Sequence, residues 1–291
     1  MFRKYYRPEN PAEALAILTE YGGRARVLAG GTDLVVQLNK GDISFDAVVD
    51  ITAITELRYI MEEDDRVKIG ALATHTDLAQ SPLLKEKASF LADAAGEVGS
   101  LQIRNVGTVG GNIVNAQPAA DTAVPLMALN AVATVFSADG TKQLPFEKLY
   151  HPGGGTTLDP TCELLTEISF EPPFNAGGSG AFGRVAKRKA LSLPVFNTAV
   201  VILPAADQKN IREARIVMGP VARLPFRAKQ AEQVVLSNLP GDACFREAAE
   251  MASVEAKPRD SVFRGSAAYR KQLVRIIVYR TLLKAWEDMV S

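Results

Sequence analysis

The sequence predicts an α+β protein, and three features of its pattern support this prediction. Short apolar runs end at glycines and lead into helical spacing, as in residues 27–34. The pair Asp139-Gly140 lies between residues 131–137 and 141–146, which predicts a β-hairpin. In the C-terminal third, three strand-like segments precede three helix-like segments, and this order is typical of a sheet covered by a layer of helices.

Helix signals are clear at several places in the N-terminal half. Asn10, followed by a proline, is a favourable N-cap for a helix over residues 10–21. Ser81 caps and Pro82 starts a second helix, which the apolar spacing extends to about Val98. A shorter apolar helix is predicted to end near residue 130.

The other elements follow from period-two segments and from composition. Residues 172–180 are rich in proline and glycine and have no periodicity, so they are predicted to be a domain boundary. The predicted domains are 1–175, with subdomains of about 1–55 and 56–175, and 176–291. Strands are predicted at 46–51, 66–71, 163–171, 181–188, 196–203 and 211–218, and C-terminal helices at 226–237, 242–256 and 266–289.

Residues 27–34, here called the first glycine segment, read Val-Leu-Ala-Gly-Gly-Thr-Asp-Leu. The pattern predicts a buried strand, a tight loop and a short helix that Thr32 can cap. Adjacent glycines remove the Cβ atoms that would keep a ligand away from the backbone, and free N–H groups there would bind an anion such as a phosphate. An ordinary glycine turn is the alternative interpretation.

A second glycine segment, residues 102–115, contains Gly107, Gly110 and Gly111 beside small hydroxyl and amide residues. Neither segment has the Gly-x-Gly-x-x-Gly spacing of a Rossmann site or the spacing of a P-loop. Two such segments in one chain therefore predict a diphosphate that is bound from two sides.

Composition excludes several classes of protein. Lysine plus arginine and aspartate plus glutamate both number 33, so there is no net basic charge for binding nucleic acid. No apolar run approaches the ~20 residues of a membrane-spanning helix. The N-terminus lacks the apolar region of a signal peptide, so a cytoplasmic location is expected.

Metal and acid–base chemistry find little support in the sequence. Cys162 and Cys244 stand alone, so this chain cannot by itself hold an iron–sulfur cluster. His75 is predicted to lie at a helix start or on the surface, with a ligand-facing role as the alternative. Asp121 either satisfies backbone donors at a helix start or reaches a ligand hydroxyl. Diphosphate-binding glycines without evident catalytic side chains are typical of a flavoprotein, in which the flavin carries the chemistry.

The two glycine segments, together with Ala119-Ala120-Asp121, resemble the FAD-binding subunit of the molybdenum hydroxylases, which include xanthine, nicotinate and carbon monoxide dehydrogenases. The resemblance extends over essentially the whole chain. It implies a vanillyl-alcohol-oxidase-type FAD domain of two α+β subdomains, followed by a small domain with a three-stranded sheet and three helices.

The resemblance also implies a set of cofactor-binding residues. The first glycine segment would hold the FAD diphosphate from one side and the second from the other, while Asp121 would contact the adenosine half. Leu164 or Leu165 would lie against the isoalloxazine, and Arg184 takes the position of a lysine near the flavin. No catalytic or metal-binding residue is implied. The residues are Val27, Leu28, Ala29, Gly30, Gly31, Thr32, Asp33, Leu34, Gly107, Thr108, Val109, Gly110, Gly111, Asn112, Asp121, Leu164, Leu165 and Arg184.

By the same resemblance, partner subunits hold the other cofactors. A small subunit would carry [2Fe–2S] clusters and a large subunit the molybdopterin, in a heterotrimer or its dimer. Electrons would reach FAD on this chain and leave to NAD or another acceptor, and the substrate would be a purine, another N-heteroaromatic compound or an aldehyde. The alternatives are a self-sufficient FAD-dependent reductase or oxidase, and an assembly subunit without flavin.

Overall fold

A computed structural model describes residues 2–188 and 191–291. Its strands form three sheets, which stand one after another along the chain. The N-terminal sheet has strands β1 (Lys4–Tyr6), β2 (Ala25–Leu28) and β3 (Ala47–Asp50), all parallel in the order β1-β3-β2. The carboxyl ends of β2 and β3 therefore share an edge, from which the first glycine segment leaves.

Two helices accompany this sheet. Helix α1 (Pro11–Tyr21) is capped by the Asn10 side chain and stopped by left-handed Gly22, as its sequence predicts. Helix α2 (Leu34–Lys40) follows the first glycine segment. Its N-cap is Asp33 in a helical conformation without a side-chain cap, so the prediction that Thr32 caps this helix is wrong. The Thr32 hydroxyl instead contacts the Asp33 carboxylate at 3.3 Å.

The middle sheet is antiparallel and contains the predicted hairpin. Its strands are β4 (Ile60–Glu63), β5 (Arg66–Gly70), β6 (Val132–Ser137), β7 (Gly140–Pro145) and β8 (Glu163–Phe170), in the order β4-β5-β8-β6-β7. Six short helices connect β5 to β6: α3 (His75–Gln80), α4 (Pro82–Lys87), α5 (Ser89–Gly96), α6 (Leu101–Val106), α7 (Val109–Val114) and α8 (Ala123–Ala128).

The single helix predicted from Pro82 to about Val98 is wrong, because the chain breaks at Ala88. This residue has φ −158° and ψ 59°, which separates α4 from α5. Ala88 is completely buried, so packing within the core rather than any helix-breaking residue type sets the break.

The C-terminal sheet contains β9 (Ser179–Ala186), β10 (Pro194–Pro204), β11 (Ile211–Gly219) and β12 (Phe226–Arg227), antiparallel in the order β12-β11-β10-β9. The short β12 makes this sheet four-stranded where three strands were predicted, and it takes the residues predicted to begin a helix. Helices α9 (Lys229–Ser237), α10 (Asp242–Glu255) and α11 (Ala267–Val290) cover one face.

Strand β10 is buried on both of its faces. Val200 and Ile202 belong to the core under the C-terminal helices, whereas Val201 and Leu203 belong to the core of the middle sheet and its helices. The apolar run of β10 therefore contributes side chains to two hydrophobic cores. The domain boundary between residues 175 and 176 stays a prediction. Among the described residues, no helix is long and apolar enough to cross a membrane.

Candidate cofactor-binding site

A cavity of about 910 Å³ opens where the N-terminal sheet, the middle helices and the C-terminal unit meet. Its volume lies near the upper end of the range of about 300–1,000 Å³ that is typical of ligand sites. Fifteen of the predicted site residues line it: Val27, Ala29, Gly30, Gly31, Thr32, Asp33, Leu34, Gly107, Thr108, Gly110, Gly111, Asn112, Asp121, Leu164 and Leu165.

The two glycine segments touch each other at Gly30. A Cβ atom on this residue would lie 2.0 Å from the Val106 carbonyl oxygen and 2.9 Å from the Gly107 Cα. Because the obstructing atoms belong to the backbone, no side-chain rotation could relieve the clash. Only glycine at position 30 therefore lets the two segments meet at one wall of the cavity.

The first glycine segment offers free backbone donors. Within the described parts of the chain, the amides of Gly30, Gly31, Thr32 and Asp33 donate to no protein acceptor. Gly31 is left-handed, with φ +68°, so it turns the backbone between strand β2 and helix α2. Successive unpaired N–H groups in such a turn form a concavity that binds anions.

The second glycine segment is less of a loop than its sequence indicates. Gly110 and Gly111 lie in the first turn of α7, whose N-cap Thr108 accepts from the Gly111 amide at 3.1 Å. The Gly110 amide donates to the Ala71 carbonyl at 3.0 Å. A Cβ on Gly110 would lie 2.7 Å from that carbonyl oxygen, so the glycine permits close packing of the backbone. These two amides are thus used within the protein and are not available to a ligand.

Asp121 is the centre of a buried polar cluster at the cavity wall. Its Oδ1 atom accepts from Arg184 Nε at 3.1 Å and from Asn197 Nδ2 at 2.7 Å. Burial raises the pKa of Asp121 to about 6, against the lowering influence of Arg184 and Asn197, so the carboxylate is ionised at neutral pH.

Arg184 fixes this cluster from outside the cavity. Besides Asp121, its guanidinium donates to Glu97 at 3.1 Å and to the Ser192 carbonyl. It thereby joins strand β9 to the end of α5 and to residues 191–193, which line the cavity. Arg184 itself is not among the lining residues, and the same is true of Leu28 and Val109. Val109 is completely buried in the core.

Leu164 and Leu165 form an apolar part of the wall. They lie next to each other on β8 and are 5% and 4% exposed. Leu164 packs in the core of the N-terminal sheet, and Leu165 packs in the core of the middle sheet. The two faces of β8 therefore contribute to different cores. Both residues nevertheless reach the cavity.

His75 lies at the cavity wall, a position that the sequence interpretation gave only as its alternative. It begins helix α3, which confirms the expected helix start, but it is 2% exposed and lines the cavity, so a surface position is wrong. Burial and the nearby Arg104 guanidinium lower its pKa to about 4. The sequence signal was the Thr74–Asp77 capping box, which fixes the start of α3.

Other lining residues carried no motif. They include Gln37 of α2, Val98, Gln117, Leu158 and, from the C-terminal unit, Arg264. Together with the predicted residues they give a cavity with an anion-binding region at the glycine segments, an apolar wall at Leu158, Leu164 and Leu165, and polar side chains such as Gln37, Gln117 and Arg264 elsewhere. This arrangement suits a long ligand that has phosphates in the middle and an aromatic group, and the Gly30 contact and the free amides are the features that fit its phosphates.

Comparison with known proteins identifies the family. The family model described as "FAD binding domain in molybdopterin dehydrogenase" matches residues 1–172, and that described as "CO dehydrogenase flavoprotein C-terminal domain" matches residues 181–285. The first of these covers more than half of the chain.

Individual relatives agree with these matches over nearly the whole chain. The chain is 32% identical to the glyceraldehyde dehydrogenase medium chain of Sulfolobus acidocaldarius, covering 98% of this chain and 97% of the relative. It is 31% identical to the xanthine dehydrogenase FAD-binding subunit of Escherichia coli O157:H7, covering 98% and 96%. The solved carbon monoxide dehydrogenase of Hydrogenophaga pseudoflava superposes with a TM-score of 0.92 at 29% identity, covering 99% and 98%. The chain therefore belongs to the FAD-binding subunits of the molybdenum hydroxylase family, with FAD as its cofactor, and is a subunit of an oxidoreductase.

Proposed function

We propose that this chain is the electron-transfer subunit of a molybdopterin-dependent hydroxylase or dehydrogenase. It would receive electrons from [2Fe–2S] clusters on a small subunit and deliver them to NAD or another acceptor, while a large molybdopterin subunit oxidises the substrate. The observation that carries this proposal is the contact between the two glycine segments at one cavity, in a chain that belongs to an FAD-binding family.

Bound FAD would supply the redox chemistry, and the residues of this chain bind and orient it. The free amides of Gly30 to Asp33 would donate to the diphosphate, where hydrogen bonds to a charged group contribute about 1.5–3 kcal/mol each. Leu164 and Leu165 would exclude water from the isoalloxazine. Asp121, held by Arg184, would accept from a hydroxyl of the adenosine half.

The substrate of the complex is a purine, another N-heteroaromatic compound or an aldehyde in this proposal. Relatives of nearly equal identity are named for glyceraldehyde, xanthine and carbon monoxide. This spread supports a division of labour in which another subunit selects the substrate. We further propose a cytoplasmic location, which the two free cysteines support. The assembly in this proposal is a heterotrimer or its dimer.

The test is spectroscopic. The purified chain, titrated with FAD, is expected to bind about one flavin per chain, and substrate is expected to reduce that flavin only when both partner subunits are present. Reduction by substrate in the isolated chain would favour a self-sufficient reductase or oxidase. A chain that binds no flavin would instead be an assembly subunit, and the proposal would fail.

A further inference from the structure

His75 is buried at the cavity wall beside the point where the two glycine segments meet. Its backbone amide donates to the Gly107 carbonyl at 3.0 Å, which fixes the start of α3 against the second glycine segment. A Cβ built on Gly107 would lie 3.4 Å from the His75 Cδ2 atom and 3.8 Å from the Thr32 methyl group. The imidazole and the first glycine segment therefore flank the same side of Gly107.

Neither ring nitrogen of His75 has a hydrogen-bond partner among the described residues. Nδ1 is completely buried, whereas Nε2, bonded to Cδ2, is not among the completely buried unpaired atoms of the described residues. His75 itself lines the cavity. A buried N–H without a partner is rarer than a buried acceptor without one. The neutral ring is therefore expected to carry its proton on Nε2, with the unpaired acceptor at Nδ1.

Protonation would place a second N–H at the buried Nδ1 position, where it would find no acceptor. This cost, together with the charge of Arg104 on α6, agrees with the lowered pKa of the ring. His75 thus remains neutral over the physiological pH range and presents one N–H donor to the cavity.

We propose that the Nε2–H group of His75 donates a hydrogen bond to a phosphate oxygen of bound FAD. The proposal rests on the flavin site proposed above. It adds a side-chain donor from the second glycine segment's side, where the Gly110 and Gly111 amides are already used within the protein. His75 would then replace those amides as the donor that faces the first glycine segment across the diphosphate.

Binding measurements with matched variants test the role of this donor. His75→Leu removes it at similar volume, and His75→Gln keeps an N–H near the Nε2 position. His75→Leu is expected to weaken FAD binding about 10-fold or more, because a hydrogen bond to a charged group is lost. His75→Gln should bind within about threefold of the native chain. The control is His151→Leu, since His151 is exposed and does not line the cavity.

A spectroscopic measurement on the native chain covers the case in which His75→Leu does not fold. The sequence has only two histidines, so ¹⁵N-histidine labelling gives the Nδ1 and Nε2 signals of two imidazole rings, and His151→Leu assigns each pair to its ring. In the flavin-free chain we expect the Nε2–H tautomer for His75, and its proton should exchange more slowly with water after FAD is added.

Two results would overturn the proposal. One is an Nδ1–H tautomer for His75, and the other is His75→Leu protein that folds and binds FAD as the native chain does. Because the native chain is titrated with FAD in the same experiment, failure of the flavin site itself would be seen separately.

Discussion

Gly30→Ala is the substitution for which the structure makes the sharpest prediction. The new Cβ would lie 2.0 Å from the Val106 carbonyl oxygen and 2.6 Å from its carbonyl carbon. Ordinary contacts of this kind are longer than about 3 Å, so the two glycine segments must separate by about 1 Å. Because Gly30 is not left-handed, the substitution adds no backbone strain and acts through this clash alone.

The expected effect is larger on FAD binding than on folding. Overpacking costs about 1–3 kcal/mol of the free energy of unfolding. Separation of the segments should also lose at least one hydrogen bond from the free amides to the diphosphate, at about 1.5–3 kcal/mol. Since about 1.4 kcal/mol is a factor of ten, the Kd for FAD should rise at least about 10-fold.

The assay is a titration of flavin-free protein with FAD, followed by flavin fluorescence. Gly153→Ala is the matched control, because a Cβ on Gly153 has no neighbour within 4 Å and this residue is not left-handed. Thermal unfolding of both variants separates a loss of fold from a loss of binding. Gly30→Ala protein that binds FAD as tightly as Gly153→Ala would refute the argument that contact between the segments builds the site.

Three further predictions concern the cores and the Asp121 cluster. Arg184→Met leaves the buried Asp121 carboxylate without its cationic partner and should lower the free energy of unfolding by about 3 kcal/mol, with Arg184→Lys intermediate, in urea unfolding followed by Trp286 fluorescence. The raised pKa of Asp121, from 3.8 to about 6, means that its native carboxyl holds a proton more tightly than the unfolded one, so its contribution to stability falls as pH rises from about 4 to about 6. Asp121→Asn should remove that part of the pH dependence in urea unfolding at pH 4.5 and 6.5, and an unchanged slope would contradict the assignment. Phe245→Ala empties a completely buried site against Trp286 and should destabilise the chain by about 3–5 kcal/mol, and the fluorescence of this single tryptophan reports the loss.

The elements with strong local signals were predictable from the sequence. Asn10 and Gly22 fix the ends of α1, and Asp139-Gly140 forms the turn of the β6–β7 hairpin, because these residues act through their own backbone and nearest neighbours. The glycine segments were also recognisable. Their contact in space explains why residue 30 is glycine, because a Cβ atom there would clash with the Val106 carbonyl oxygen of the other segment.

The features that depend on distant contacts were not predictable. The break at Ala88 is set by core packing, and no breaker residue marks it. The ion pair between Arg184 and Asp121, which are 63 residues apart, was not predicted. His75 has helix-start neighbours in sequence, and only the packing of α3 against α6 shows that its ring is buried.

The double burial of β10 has a consequence for the synthesis of the chain. Residues 1–172 leave the ribosome first, but the core that contains Phe90 and Leu126 lacks one wall until Val201 and Leu203 have emerged. Until then the nascent chain exposes an apolar strip that is prone to aggregation. We therefore expect that the N-terminal part cannot complete its folding during translation and that it matures together with the C-terminal sheet.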